Sequence, residues 1–305
     1  MNRAMAHQSN LFEPANGEPR RVGLLAAWGR LPVLVAEELR RQDYQVSCLG
    51  VVGHADPHLK EICNDFQWIG LGRLGGAIRY FRRRNVRQAT MVGKFQKVIL
   101  YQPNLWLRHL PDWTGIKTFW HIFATKQRDQ KDDTLLGTLT GAFADHGITF
   151  QPATDYAPEL LVKAGQIAGR PPSVSQQNDI EFGWELAREM GRLDVGQSVC
   201  VKDRGVLAVE AIEGTDACIH RAGQLCQAGG FTIVKVAKPQ QDMRFDVPTV
   251  GVRTLRTMVA AGAKVLAIEA GRTILLDDAE FRAYAADHKL SVVALAEGAA
   301  MEVAA

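Results

Sequence analysis

The 305-residue chain has no apolar run approaching the roughly 20 residues that a membrane-spanning helix needs. Its first residues, MNRAMAHQSNLFEPANGEPRR, lack the apolar stretch of a signal peptide. The five cysteines (Cys48, Cys63, Cys200, Cys218, Cys226) are odd in number and show no CxxC or metal-finger spacing. That argues against a disulfide framework and for a reduced, cytoplasmic compartment. Eight histidines are scattered without HExxH or paired ligand spacing, which argues against a zinc site. GxSxG is missing, and so is G-x-x-x-x-G-K-[ST]. The apolar run VGLLAA (22–27) is not followed by a full G-x-G-x-x-G, which weakens an oxidoreductase reading. Charge of one sign is also scarce. Lys and Arg number 36 against 33 Asp and Glu, a net charge of +3, which argues against a dedicated nucleic-acid binder.

What is present is ordinary globular material, 47% hydrophobic and 23% charged, long enough for two domains with real cores. Residues 1–20 read as a tail. Short apolar runs at 22–27, 44–52 and 89–93 alternate with helical patterns at 32–42 and 71–84, and predict a parallel sheet. A helix over 131–147 and a short strand at 148–150 follow. The stretch 154–177, with Pro158, Gly165, Gly169, Pro171 and Pro172, has linker composition. Beyond it, a helix at 178–192 precedes strands at 197–203, 205–212, 231–238, 264–270, 272–276 and 291–296, with helices at 215–227, 254–262 and from Asp277 or Asp278. The chain thus divides into a tail (1–20), an N-terminal α/β Rossmann-like domain (21–155), a linker (156–177) and a C-terminal α/β catalytic domain (178–305).

The densest polar constellation lies in the second half. Three consecutive strand ends run into Glu210-Ala-Ile-Glu213-Gly-Thr215-Asp216, into Lys238-Pro-Gln-Gln241-Asp242-Met-Arg244-Phe-Asp246-Val-Pro-Thr249, and into Glu269. Open parallel sheets bind ligands outside the carboxyl ends of their strands. Lys235, Lys238, Arg221 and Arg244 supply cations to screen a polyanion. Asp246, Asp242, Glu213 and Asp216 supply hard oxygens for a divalent ion or a base for water. Position alone does not divide those roles. Glu210 alternates with Val206, Ala208 and Ile212, so a simple paired charge at a strand end also accounts for it.

These residues carry a resemblance. GRLDVGQSVCV (191–201), VLAVEAIEGTDACIHRAG (206–223), VKVAKPQQDMRFDVPTVGVRTL (234–255) and IEAG (268–271) closely resemble the UDP-2,3-diacylglucosamine pyrophosphatases of lipid A biosynthesis. GLLAAWGRLPVLVAEE and KDDTLL resemble the family's opening turn and mid-chain acidic pair. The resemblance implies two α/β domains with mainly parallel sheets and a ligand cleft between them. It also implies a magnesium- or manganese-dependent attack of water at the β-phosphorus, releasing UMP and 2,3-diacylglucosamine 1-phosphate. The family's essential aspartate maps onto Asp246. With chemistry and neighbourhood added, the catalytic residues are expected to be Asp246, Arg244 and Asp242. Lys238, Gln241, Thr215, Thr249 and Gly29 are expected to bind substrate, and Asp246, Glu213 and Asp216 to hold Mg2+ or Mn2+. The implied partner is a lipid-linked nucleotide sugar rather than a nucleic acid. A homodimer and a peripheral contact with the inner face of the inner membrane are compatible with that setting.

Two departures qualify the likeness. The family's opening turn is rich in glycine, whereas Ala27-Trp28-Gly29-Arg30-Leu31-Pro32 keeps one glycine and places an indole where a backbone would approach a ligand. A packed core role is the expectation for Trp28, with stacking on a base as the alternative. The segment 98–123, with Trp106, Trp113 and Trp120 among its aromatics, is read first as inter-domain core, and second as an interfacial patch for acyl chains. RYFRRRNVR (79–87) is read as a solvated basic face, or as attraction to anionic lipid. Asp132-Asp133 caps its helix or faces the ligand. Together these departures motivate a second function, a non-catalytic binder of nucleotide sugars or phospholipids derived from the family.

Overall fold

The computed structural model describes residues 19–94, 105–124 and 132–296. The chain falls into two compact units, 1–158 with Met243–Phe245, and 159–242 with 246–305. Most of the expected tail, part of the aromatic segment (98–104) and the side chains of Trp106, Asp132 and Asp133 lie outside the described residues.

The first unit runs β1 (Arg21–Ala26), α1 (Leu31–Arg41), β2 (Gln45–Val51), α2 (Leu59–Ile62), β3 (Asp65–Ile69), α3 (Leu74–Arg83), β4 (Gln88–Val92), α4 (Leu105–Arg108), α5 (Trp113–Ala124), α6 (Asp132–Ala144), β5 (Thr149–Phe150) and α7 (Ala153–Tyr156). Its strands form one parallel sheet ordered β3-β2-β1-β4-β5. Apolar runs make this sheet because a parallel strand is buried on both faces: β1 is buried from Val22 onward and β2 from Val46 onward. Pro32 opens α1, where its missing N–H costs nothing. The strand order reverses between β1 and β4, and there Trp28 bridges to Lys94 through backbone bonds of 3.1 and 2.9 Å.

One carboxylate organises this unit's α3–α5 junction. Asp112 precedes α5 and accepts from the N–H of Gly115 at 2.9 Å, as an N-cap does. It also accepts from the N–H groups of Gly75 and Gly76 in the first turn of α3, at 3.1 and 2.9 Å. Burial works against its charge, but those three N–H groups outweigh it and hold the carboxyl below the usual carboxylate range. A depressed folded pKa adds stability that is full at neutral pH and fades as pH falls through the folded value. Asp112→Ala is therefore expected to cost about 1–2 kcal/mol at neutral pH. In urea melts at pH 7 and pH 3 the gap from the parent protein should narrow at the acid end.

The second unit follows a 3-10 turn (Pro158–Leu160) with β6 (Gly165–Ala168), α8 (Val174–Arg192), β7 (Ser198–Lys202), β8 (Gly205–Val209), α9 (Thr215–Leu225), β9 (Thr232–Lys235), β10 (Thr249–Val250), α10 (Val252–Ala261), β11 (Val265–Glu269), β12 (Ile274–Leu275), α11 (Asp278–Asp287) and β13 (Ser291–Leu295). Its six-stranded sheet is ordered β6-β13-β11-β9-β7-β8. β9, β11 and β13 are parallel, while β6 and β7 enter antiparallel to their neighbours. Side chains alternate between two apolar layers: Leu266 and Ile268 join the one with Phe231 and Phe281, whereas Val265 and Ala267 join the one with Trp184 of α8. A capping box between Ser173 and Gln176 starts α8. The β7–β8 turn places Asp203 and Arg204 both at positive φ, and buried Asp179 of α8 accepts from the N–H of Arg204 at 2.7 Å.

The region expected as linker, 156–177, is not one. It carries β6, paired with β13, and the start of α8, so most of it belongs to the second unit's framework. Trp28 is 40% exposed, Trp113 78% and Trp120 62%, so none of them is packed into the first unit's own core. All five cysteines are free.

Candidate active site at the carboxyl edge of the second sheet

Strand direction decides which residues meet. β9 ends at Lys235, β8 runs into Glu210, and antiparallel β7 begins at Ser198, in register with Lys235. The N–H of Glu210 donates to the Ser198 carbonyl at 2.9 Å. α9 opens at Thr215 above the same edge. Its hydroxyl sits at the centre of the group: it donates to Glu210 Oε1 at 3.0 Å and accepts from Lys235 Nζ at 3.0 Å. Ser198 Oγ lies 3.3 Å away. A hydroxyl has one proton and two acceptor sites, so Ser198 is the donor in that last contact.

Glu210 and Lys235 are both only 7% exposed. Charges so far from water require partners. Among the described residues, Glu210 Oε2 nevertheless has no hydrogen-bond partner. A buried acceptor left unmet costs about 1–3 kcal/mol, more when charged.

A second buried carboxylate anchors the adjacent loop. Glu269, at the end of β11, is fully buried; it accepts from Arg188 Nη1 at 3.2 Å and from the N–H of Ala237 at 2.7 Å, with Arg272 Nη1 at 3.7 Å. Arg272 also donates to the Lys238 carbonyl at 3.4 Å. The root of the Lys238–Pro248 loop is therefore tied down. Beyond it the backbone turns twice, Gln241 N to Lys238 O at 3.0 Å and Asp246 N to Asp242 O at 3.1 Å.

The expected site residues divide accordingly. Thr215 is central to the buried cluster. Lys238 is paired with Asp194 at 2.7 Å, and its N–H is held by Gln241 Oε1 at 3.0 Å, while Gln241 Nε2 is buried without a hydrogen-bond partner. Thr249 Oγ1 donates to the Val247 carbonyl at 2.9 Å and closes the loop's far end. Asp242 and Arg244 lie on the loop half-buried, the Arg244 guanidinium 4.9 Å from the Phe245 ring, and Asp246 is exposed. Gly29 belongs to the first unit, at φ +118°, with nothing within 4 Å of where a Cβ would stand.

The expected metal set is not assembled. Glu213 is bound to Arg221 at 2.6 Å, and Asp216 to Arg253 at 2.9 Å. Backbone N–H donation and Arg221 hold the Glu213 carboxyl below its ordinary range. Each of these two charges is already matched within its own ion pair. Among the described residues no group of three or more His, Cys, Asp or Glu could hold a metal ion. Conversely, Ser198 and the linking role of Glu210 were not expected from sequence. Their signal was present only as polar residues at strand ends, and became specific through the Thr215 hydroxyl.

The chain from 21 to 160 matches the family model of the LpxI N-terminal domain, and from 163 to 293 that of the LpxI C-terminal domain. It is also similar to the UDP-2,3-diacylglucosamine pyrophosphatase LpxI of Caulobacter vibrioides, 29% identical over 265 residues, which is 85% of this chain and 91% of that protein.

Proposed function

The chain belongs to the LpxI family, and from that premise we propose that it hydrolyses the diphosphate of UDP-2,3-diacylglucosamine to UMP and 2,3-diacylglucosamine 1-phosphate. The observation that carries this reading is the paired match, N-terminal model on the first unit and C-terminal model on the second, alongside a relative named for that activity. The carboxyl edge of the second sheet suits the task. It carries Lys238 and Asp246 on one loop whose root is tied to the sheet.

In the reaction, a water oxygen bonds to the β-phosphorus and the bond from that phosphorus to the bridging oxygen breaks. The bridging oxygen leaves with UMP, and the water's proton passes to a carboxylate, which we assign as Asp246. Exposed on its loop, Asp246 can take that proton and release it to solvent. Lys238 and Arg244 counter the phosphate charge, Thr249 and Gln241 shape the loop that presents them, and Asp242 supplies the backbone carbonyl that fixes the turn under Asp246. Glu213 and Asp216 are each held by an arginine, so a metal ion would have to draw them out of those pairs. Asp246, exposed on its loop, would be the carboxylate to share Mg2+ or Mn2+ with substrate phosphate. Such an ion, when bound, would neutralise phosphate oxygens and polarise phosphorus.

Incubation with UDP-2,3-diacylglucosamine should yield UMP and the sugar 1-phosphate, cease on chelation, and resume with added Mg2+ or Mn2+. Thermal stabilisation by the substrate with no UMP formed would instead establish a non-catalytic binder. Turnover that survives chelation would strike out the metal.

A further inference from the structure

A cavity of about 470 Å3 in the first unit, remote in sequence from the loops described above, is walled by Arg73, Arg79, Arg83, Arg84 and Arg108 around Tyr80. Among the described residues no acidic side chain lines it. Of the five, Arg84 is drawn into an ion pair, with Asp65 at 3.3 Å, and its guanidinium stacks 3.8 Å from the Tyr80 ring centroid. Arg73, Arg79, Arg83 and Arg108 are exposed. Arg79 also stabilises the Asp112 carboxylate; the other exposed guanidinium groups around the hollow repel one another unless an anion enters.

Beside this wall stands an uncovered apolar helix face. Trp113, Ile116 and Trp120 of α5 recur at helical spacing on one side of the helix, and are 78%, 40% and 62% exposed. Leu107 and Leu110, flanking the cavity residue Arg108, are exposed as well. Exposed tryptophans aligned in this way are unusual on a water-facing helix. The wall and the face are one rigid piece. Gly70, just before Arg73, lies so close to the Arg108 carbonyl that a Cβ there would fall 1.8 Å from its oxygen. Asp112 caps α3 and α5 together.

We propose that the arginine cavity and the α5 tryptophan face form a docking surface for an anionic phospholipid bilayer, the guanidinium groups taking headgroup phosphates and the indoles seating at the level of the headgroups. Charge selects the occupant. A wall of arginines without an acid fits phosphate, guanidinium binds it bidentately, and indole is the side chain that settles at a membrane–water boundary. A neutral apolar partner would leave the arginines unmatched. A nucleic acid would leave the tryptophan–isoleucine stripe in water.

Full-length protein should co-sediment with phosphatidylcholine vesicles containing phosphatidylglycerol, should not do so with phosphatidylcholine alone, and should be released by salt. Each arginine at an anionic surface contributes about fivefold to binding, so Arg83→Gln/Arg108→Gln should lower it about 25-fold. Trp113→Ser/Trp120→Ser should lower it as well, with a circular dichroism spectrum like the parent's. The two variants test separate halves of the surface, so a folding defect in one leaves the other informative. Equal binding to both vesicle types, parent-like binding of both variants, or retention of an RNA oligomer in place of vesicles would overturn the proposal.

Discussion

UMP release by Asp246→Asn is expected to fall by about 10^2- to 10^4-fold, the range for loss of a positioned proton acceptor, with the melting temperature unchanged. The second half of that expectation comes from the structure. Asp246 is exposed, and its backbone N–H ties the loop to the Asp242 carbonyl, a bond that asparagine keeps. Exposed substitutions away from caps and buried networks generally stay within about 0.5 kcal/mol. A large loss of turnover without loss of stability therefore separates chemistry from folding. The Asn variant should also still be protected from thermal unfolding by the reaction product. Normal turnover would remove Asp246 from the mechanism and shift attention to Glu210, whose Oε2 is buried without a hydrogen-bond partner.

Legibility from sequence followed burial. β1, β2, β4, β9, β11 and β13 are buried along nearly their whole length, and their mostly apolar sequences were evident because a strand covered on both faces admits little else. β3 (Asp65–Ile69) was missed. As the edge strand of its sheet it is mostly half-exposed, and Asp65, Gln67 and Trp68 break the run. β6 was hidden in a Gly- and Pro-rich stretch because its partner, β13, lies more than 120 residues later. The site shows the same divide. The Asp242–Asp246 segment stood out as a contiguous charged string, whereas Ser198, Glu210, Thr215 and Lys235 come from four separate elements and look bland one at a time. Strand pairing and one helix start bring them within 3.0–3.3 Å of a single hydroxyl. Sequence spacing also does not reveal how the acidic residues are paired. Arg221, one turn and more along α9, and Arg253, on α10, reach back to neutralise Glu213 and Asp216.

Glu269→Ala is expected to destabilise the second unit by about 3 kcal/mol, the low end of the cost of breaking a buried ion pair. The low end applies because the two arginines are not themselves dry. The Glu269 side chain is 1% exposed, but those of Arg188 and Arg272 are each 27% exposed, so water can partly compensate them once the carboxylate is gone. The Ala237 N–H has no such recourse: it is buried and gives its 2.7 Å bond to Glu269 Oε2. Losing that bond releases the root of the loop that presents Lys238, Asp242, Arg244 and Asp246, so turnover should fall more than the stability change alone would require. Glu269→Gln separates the two effects. Glutamine keeps the shape and an oxygen for Ala237 but forfeits the charge, so it should recover the loop's position and most of the turnover while leaving part of the stability deficit in place. Chemical denaturation and steady-state turnover of the two variants, measured side by side, decide the matter. If Glu269→Ala melts with the parent protein, or if Glu269→Gln is no more active than Glu269→Ala, then Glu269 does not position the loop.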